Sequence, residues 1–188
     1  MKPEEIPTLV EEEARIQIFY PVIDKLDTGL FVETGTFVGG NLVRVAQRIK
    51  DRQKSIQLVG VDNFSFDNIS GESMRQGQVS KDEDYFQKCS DNIQACSLHH
   101  IIKLIIGDGR EVASFFNDES IDLIFLDAGH VYQYVKDELI AWLPKIKVGG
   151  IISGHDWPVP DIHRAVHEVL NGCSINDTNS GSYWTIKC

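Results

Sequence analysis

The sequence is short of positive charge. Against 28 Asp and Glu it carries 18 Lys and Arg, a formal net charge of −10, and a surface of that sign repels phosphate backbones and anionic lipid. Neither nucleic acid nor a membrane surface is an expected partner. Long apolar runs are missing as well: nothing approaches the roughly 18 apolar residues of a membrane span. The first 17 residues are acidic and lack the apolar stretch of a secretory leader, so a cytoplasmic location is expected. Cysteine is scarce, and Cys89, Cys96, Cys173 and Cys188 show no C-x-x-C spacing, so they read as reduced, structural thiols. No repeat, low-complexity tract or Pro/Gly/Ser-rich linker divides the 188 residues. One domain over 1–188 is the expectation, with an N-terminal helical extension over 1–28.

What is present is alternation. Short runs rich in Ile, Val, Leu and Phe at 30–33, 56–61, 101–106, 121–126 and 150–153 read as buried strands, because parallel strands covered on both faces are continuously apolar. Helix-period segments lie between and after them, at 41–50, 83–97, 111–116, 131–143 and 161–170. A further helix over 8–19 precedes the first strand, its apolar positions Leu9, Val10, Ile16 and Phe19 suited to the core or to a homodimer surface. A closing strand at 182–187 would pair with one near Ser174 across Asn179-Ser180-Gly181. The expected class is therefore α/β: a Rossmann-like single domain with a mostly parallel seven-stranded sheet, helices on both faces and an antiparallel C-terminal strand.

Ligands of such sheets sit beyond the carboxyl ends of the strands, and here every one of the five strands is followed by an acid or a glycine. The segments are Glu33-Thr34-Gly35-Thr36-Phe37-Val38-Gly39-Gly40-Asn41, Asp62-Asn63-Phe64, Gly107-Asp108-Gly109, Asp127-Ala128-Gly129-His130 and Gly154-His155-Asp156. The first is neither G-x-G-x-x-G nor a P-loop, since Asn41 follows Gly40, and phosphate binding is disfavoured. A carboxylate at Glu33 suits ribose hydroxyls or a cationic amine. Asp62 can accept both hydroxyl protons of a ribose, and Asp108 can meet an adenine amino group. Singly, each acid also reads as a helix cap or a solvated loop charge.

The ordered set resembles a class I S-adenosylmethionine-dependent methyltransferase from about residue 31 to the C-terminus. Residues 33–39 match that family's first motif, Val61-Asp62 its ribose-binding acid, Gly107-Asp108-Gly109 its adenine-side motif, 121–127 its fourth-strand motif and 143–150 its turn into strand five. The resemblance implies S-adenosylmethionine as cofactor, held by Glu33, Gly35, Thr36, Gly39, Asn41, Asp62, Asn63, Asp108, Gly109 and Asp127. Residues 126–132 and 154–156 are similar to a small-molecule subgroup that includes sugar O-methyltransferases, which implies a small hydroxylated acceptor. In its metal-dependent relatives acids after strands four and five hold magnesium, which carries over to Asp127 and Asp156, although Ala128 stands where a further acid is common. The catalytic residues expected are His130, an imidazole base just beyond strand four, and Asp127. His155 stays open between metal ligand, second base and strand-end packing.

Segment 65–84 is long and polar for a connection and is expected to form a lid over the cofactor or a surface insertion, with Phe64 and Phe66 as an apolar wall. His163 and His167 are spaced i, i+4, but Arg164-Ala165-Val166 between them lacks the Glu of H-E-x-x-H, which argues against a zinc hydrolase. Two other function classes remain: a non-catalytic S-adenosylmethionine-binding or partner-binding module, and a nicotinamide-dependent oxidoreductase, the latter disfavoured by the missing G-x-G-x-x-G and by Glu33.

Overall fold

The computed structural model describes residues 1–8, 10–65, 82–177 and 183–187, with Asp177 and 183–187 described by backbone alone. Leu9, Phe66, Cys188, most of the segment expected as a lid and the turn at 179–181 lie outside these residues.

Strands β1 (Thr28–Thr34), β2 (Ser55–Asp62), β3 (Ile102–Ile106), β4 (Ile121–Leu126), β5 (Ile146–His155), β6 (Ile175–Asp177) and β7 (Tyr183–Lys187) pair in the order β3-β2-β1-β4-β5-β7-β6. The first five are parallel, as their unbroken apolar character requires, and β7 runs antiparallel to both β5 and β6. Neighbouring residues on a strand point to opposite faces, and both faces are covered. Phe31, Leu58, Leu123 and Phe125 pack with α3 (Gly40–Asp51) and α4 (Tyr85–Ala95) in one core. Val32, Val59, Ile124 and Leu126 pack with α6 (Tyr132–Trp142) and α7 (Pro160–Val169) in the other, while the single turn α5 (Gly109–Val112) follows β3. The α/β Rossmann-like architecture read from alternation is the one observed.

The N-terminal helical stretch departs from the sequence reading. It starts at Glu12, not at residue 8, and continues to Lys25 as α1 (Glu12–Ala14), a π-helical turn (Arg15–Phe19) and α2 (Tyr20–Lys25). Pro21, in the first turn of α2, has no N–H to give to the preceding turn, and the backbone registers differently there. β5 is also longer than expected, because the left-handed Gly149 (φ +81°) and Gly150 absorb a register shift against β4 that leaves the strand able to resume. No helix among the described residues is long and apolar enough to cross a membrane. Cys89 and Cys96 are buried free thiols, whereas Cys173 is exposed.

The strand order changes direction at β1, so the chain segments that leave the carboxyl ends of the paired strands β1 and β4 diverge and open a crevice. Gly35 fixes its width. It sits at φ +77°, and a Cβ there would overlap the carbonyl of Asp127 at the end of β4. Gly149 has a similar φ, +81°, with nothing within 4 Å of the same added atom. Urea unfolding should therefore separate the two effects: Gly149→Ala loses about 1 kcal/mol, the cost of a left-handed conformation, and Gly35→Ala about 3 kcal/mol or more, because overlap with backbone adds to it.

Candidate active site

Beyond the strand ends lies a cavity of about 710 Å³, within the range of small-molecule sites. Of the residues expected to act, Glu33, Gly35, Thr36, Asn41, Asp62, Asn63, Gly109, Asp127, His130 and Asp156 line it. Gly39 and Asp108 do not. Gly39 caps α3 in the left-handed region, with its open side against the Cys89 sulfur. Asp108 is the N-cap of α5: its Oδ1 accepts from the Arg110 backbone N–H (2.9 Å) and Nε (2.9 Å) and its Oδ2 from Nη2 (2.5 Å), which ties the carboxylate to a neighbour two residues away.

At the β1–β2 end, Glu33 is 2% exposed and Oε2 accepts from Asn41 Nδ2 at 2.7 Å. Burial pushes its pKa up to about 8, against the lowering effect of Asn41, with the Asp127 charge adding to the rise. Asn41 is held in turn by Arg15 (3% exposed), whose Nη1 donates to Asn41 Oδ1 at 3.3 Å and to the Val10 carbonyl at 2.8 Å. Asp62 Oδ2 accepts the Phe37 N–H at 2.9 Å and Oδ1 the Phe64 N–H at 2.7 Å, which ties both loops to β2. Phe37 and Phe64 are both left-handed, φ 51° and 53°, and Phe37 rests on Tyr85 with ring centroids 5.4 Å apart.

The β4–β5 end is a charge cluster. His130 Nε2 is 2.6 Å from Asp156 Oδ2. His155 Nδ1 faces Asp127 Oδ1 at 3.5 Å and Asp156 Oδ1 at 3.4 Å, and its Nε2 is 3.0 Å from Glu11 Oε2. Desolvation would lower the His155 pKa, but Asp127 and Asp156 overcome it and push it up to about 11. The bond to Asp156 raises that of His130 despite its burial. Desolvation alone would raise Asp156, yet the two imidazoles hold its carboxyl well below the usual range, while burial raises Asp127. His155 and Asp156 would point to opposite sides of an extended strand; the left-handed Asp156 (φ 56°) turns both inward.

Sequence reading missed two parts of the cavity wall and one buried acid behind it. Glu11 and its neighbours Pro7, Thr8 and Val10 line the cavity across 144 residues from His155, a contact no local pattern announces. Tyr134 lines it under the Arg110 guanidinium, 4.3 Å from its ring centroid. Glu138, one turn further along α6, is 1% exposed with Oε1 unpartnered, packed so closely beneath Gly109 that no Cβ fits between them. Its burial raises its pKa to about 8. An acid at 138 on the inner face of an amphipathic helix was the available signal.

The sheet order and the crevice at its switch point are those of class I S-adenosylmethionine-dependent methyltransferases. Residues 32–157 match the methyltransferase domain family, and the chain belongs to that family. In fold it is similar to the O-methyltransferase NovP (18% identity, TM-score 0.71, 93% of this chain and 78% of that one). It is also similar to the apo TDP-rhamnose 3'-O-methyltransferase of calicheamicin biosynthesis (18%, 0.68, 96% and 88%). A third likeness is to a Staphylococcus aureus protein assigned as a caffeoyl-CoA O-methyltransferase (15%, 0.68, 98% and 87%). Nothing among curated proteins matches in sequence.

The buried Glu33 has a stability signature. Its pKa is about 8 folded against 4.5 for an ordinary glutamate, so the folded chain binds more protons between these values and Glu33 costs stability as pH rises through them. Glu33→Gln removes this slope. Denaturant unfolding from pH 4.5 to 8 should show the variant gaining on the parent by a few kcal/mol toward the upper end; parallel curves would place an ionised Glu33 in the folded state.

Proposed function

We propose that the chain transfers the methyl group of S-adenosylmethionine to a hydroxyl oxygen of a small-molecule acceptor, within one domain and without a nucleic-acid or membrane partner. The observation that carries this reading is the His130–Asp156 pair at the β4–β5 edge of a cavity whose other end is built from Glu33, Asn41 and Asp62. The cofactor fits the β1–β2 end: Gly35 lets the chain's backbone approach it closely, Glu33 would face its cationic amine, and Asp62, oriented by the Phe37 and Phe64 N–H groups, would with Asn63 meet the ribose hydroxyls. Bound there, the sulfonium supplies an electrophilic methyl group.

The chain's own task is alignment and proton removal. A carboxylate only accepts, so Nε2 of neutral His130 carries the proton it donates to Asp156, and the lone pair on Nδ1 is left to take the proton of the acceptor hydroxyl. As the oxygen bonds to the methyl carbon, the carbon–sulfur bond breaks and the sulfur leaves as a neutral thioether, in line with the attack. Asp127, beside His155 and beneath His130, stabilises the charge that His130 gains.

A second reading has a specific observation in its favour. Ligand atoms of Asp127, His130 and Asp156 lie within 4.8 Å of one another, a donor set that suits a divalent cation such as magnesium, which would lower the acceptor hydroxyl's pKa.

Three measurements follow. Calorimetry should show micromolar binding of S-adenosylmethionine and S-adenosylhomocysteine and none of NADH, with Asp62→Ala weakening the former by about 1–3 kcal/mol, the scale of a lost bond to a charged group. In a methyl-transfer assay over hydroxylated acceptors, His130→Ala should lower kcat by about 10²–10⁴ while leaving cofactor affinity intact; an unchanged kcat removes the base. Activity that survives a chelator supports His130, and activity abolished by it and restored by magnesium supports the metal.

A further inference from the structure

We infer that the acceptor end of this cavity selects hydroxylated compounds carrying an amine cation or no charge and disfavours those carrying carboxylate or phosphate groups. This rests on the methyltransferase reading above and names its substrate class.

Five carboxylates, Glu11, Glu33, Asp62, Asp127 and Asp156, line the cavity, and among the described residues no Lys or Arg does. The nearby guanidinium groups are already engaged: Arg15 with Glu12, Val10 and Asn41, and Arg110 with Asp108 and the face of Tyr134. Glu33 and Asp62 belong to the cofactor end. At the acceptor end stand Glu11, Asp127 and Asp156 with His130 and His155, so with no divalent cation bound and even with both imidazoles protonated the sum is −3 + 2 = −1. An anionic acceptor gives up its water here to face net negative charge without a bidentate partner, which is the costly way to bury an anion. A cation gains from the same charges.

Glu11 is the residue that tips the balance. It comes from outside the strand-end motifs, lines the cavity and is half exposed, with a side-chain exposure of 50%, and its removal alters the charge without emptying the core.

The test uses the full chain saturated with S-adenosylhomocysteine, whose binding is established first. Three phenols of one shape and different charge serve as probes in calorimetry: tyramine (cation), 4-ethylphenol (neutral) and 4-hydroxyphenylacetate (anion). Tyramine should bind at least about tenfold more tightly than 4-hydroxyphenylacetate, as a difference of two unit charges at several ångströms in a partly screened site implies, with 4-ethylphenol between them. Glu11→Gln should narrow that ratio several-fold. Because the whole chain is present, the charges of Arg75 and Lys81, outside the described residues, are included in the result. An anion that binds as well as the cation, or no binding of any of the three, overturns the inference. Failure of S-adenosylhomocysteine to bind overturns instead the methyltransferase reading on which it stands.

Discussion

The close approach of β1 and β4 at their carboxyl ends is the constraint on which the site depends. Parallel strands in register from Phe31↔Leu123 to Thr34↔Leu126 set Glu33 opposite Phe125 and so bring it to the same end of the sheet as Asp127, two residues further on. One residue beyond, the chain from β1 must turn away while still touching the carbonyl of Asp127, and only a residue without a Cβ does so at φ +77°. The turn then sends Thr36 and Phe37 toward Asp62 and starts α3 at Gly40, which itself presses against the Pro7 carbonyl. One glycine thus sets the distance between the two strands that flank the crevice and the direction in which the first helix leaves.

That geometry gathers acids, and the structure handles them in two ways. Glu33 and Glu138 are almost fully buried, and burial raises both pKa values to about 8, so near neutrality they lean toward the uncharged form. Asp156 is kept ionised by two imidazoles, and His155 is kept protonated by the carboxylates around it. Of the first pair Glu33 lines the cavity, and its stored negative charge is one that a cationic ligand can draw out. The second is already paired, so it supplies fixed dipoles and a poised imidazole rather than a reservoir of charge.

How much of this was legible follows from the range of each interaction. The strands, their parallel order and the acids and glycines that end them came from runs of residues adjacent in sequence, because a doubly covered strand is apolar throughout and a ligand crevice needs small and polar residues where the strands stop. The commitment of Asp108 to Arg110 is also local, at i, i+2, and an N-cap reading of that acid pointed to it. Glu11 is different in kind. Its partner His155 is 144 positions away, and the side chain that meets it is aimed by the left-handed turn at Asp156, which breaks the alternation any strand pattern assumes. The N-terminal stretch was therefore read as core or dimer surface when part of it is a wall of the site.

This wall changes how the cofactor end and the acceptor end are connected. Arg15 reaches Asn41, Asn41 reaches Glu33, and four residues earlier Glu11 reaches His155, so a single segment of chain touches both ends of the cavity. The first two of these hydrogen bonds are buried and the third is part-buried, and such bonds are costly to leave half made. The segment cannot shift to suit one end without straining the other, and the two halves of the crevice are held in one relative position by residues that precede the first strand of the sheet.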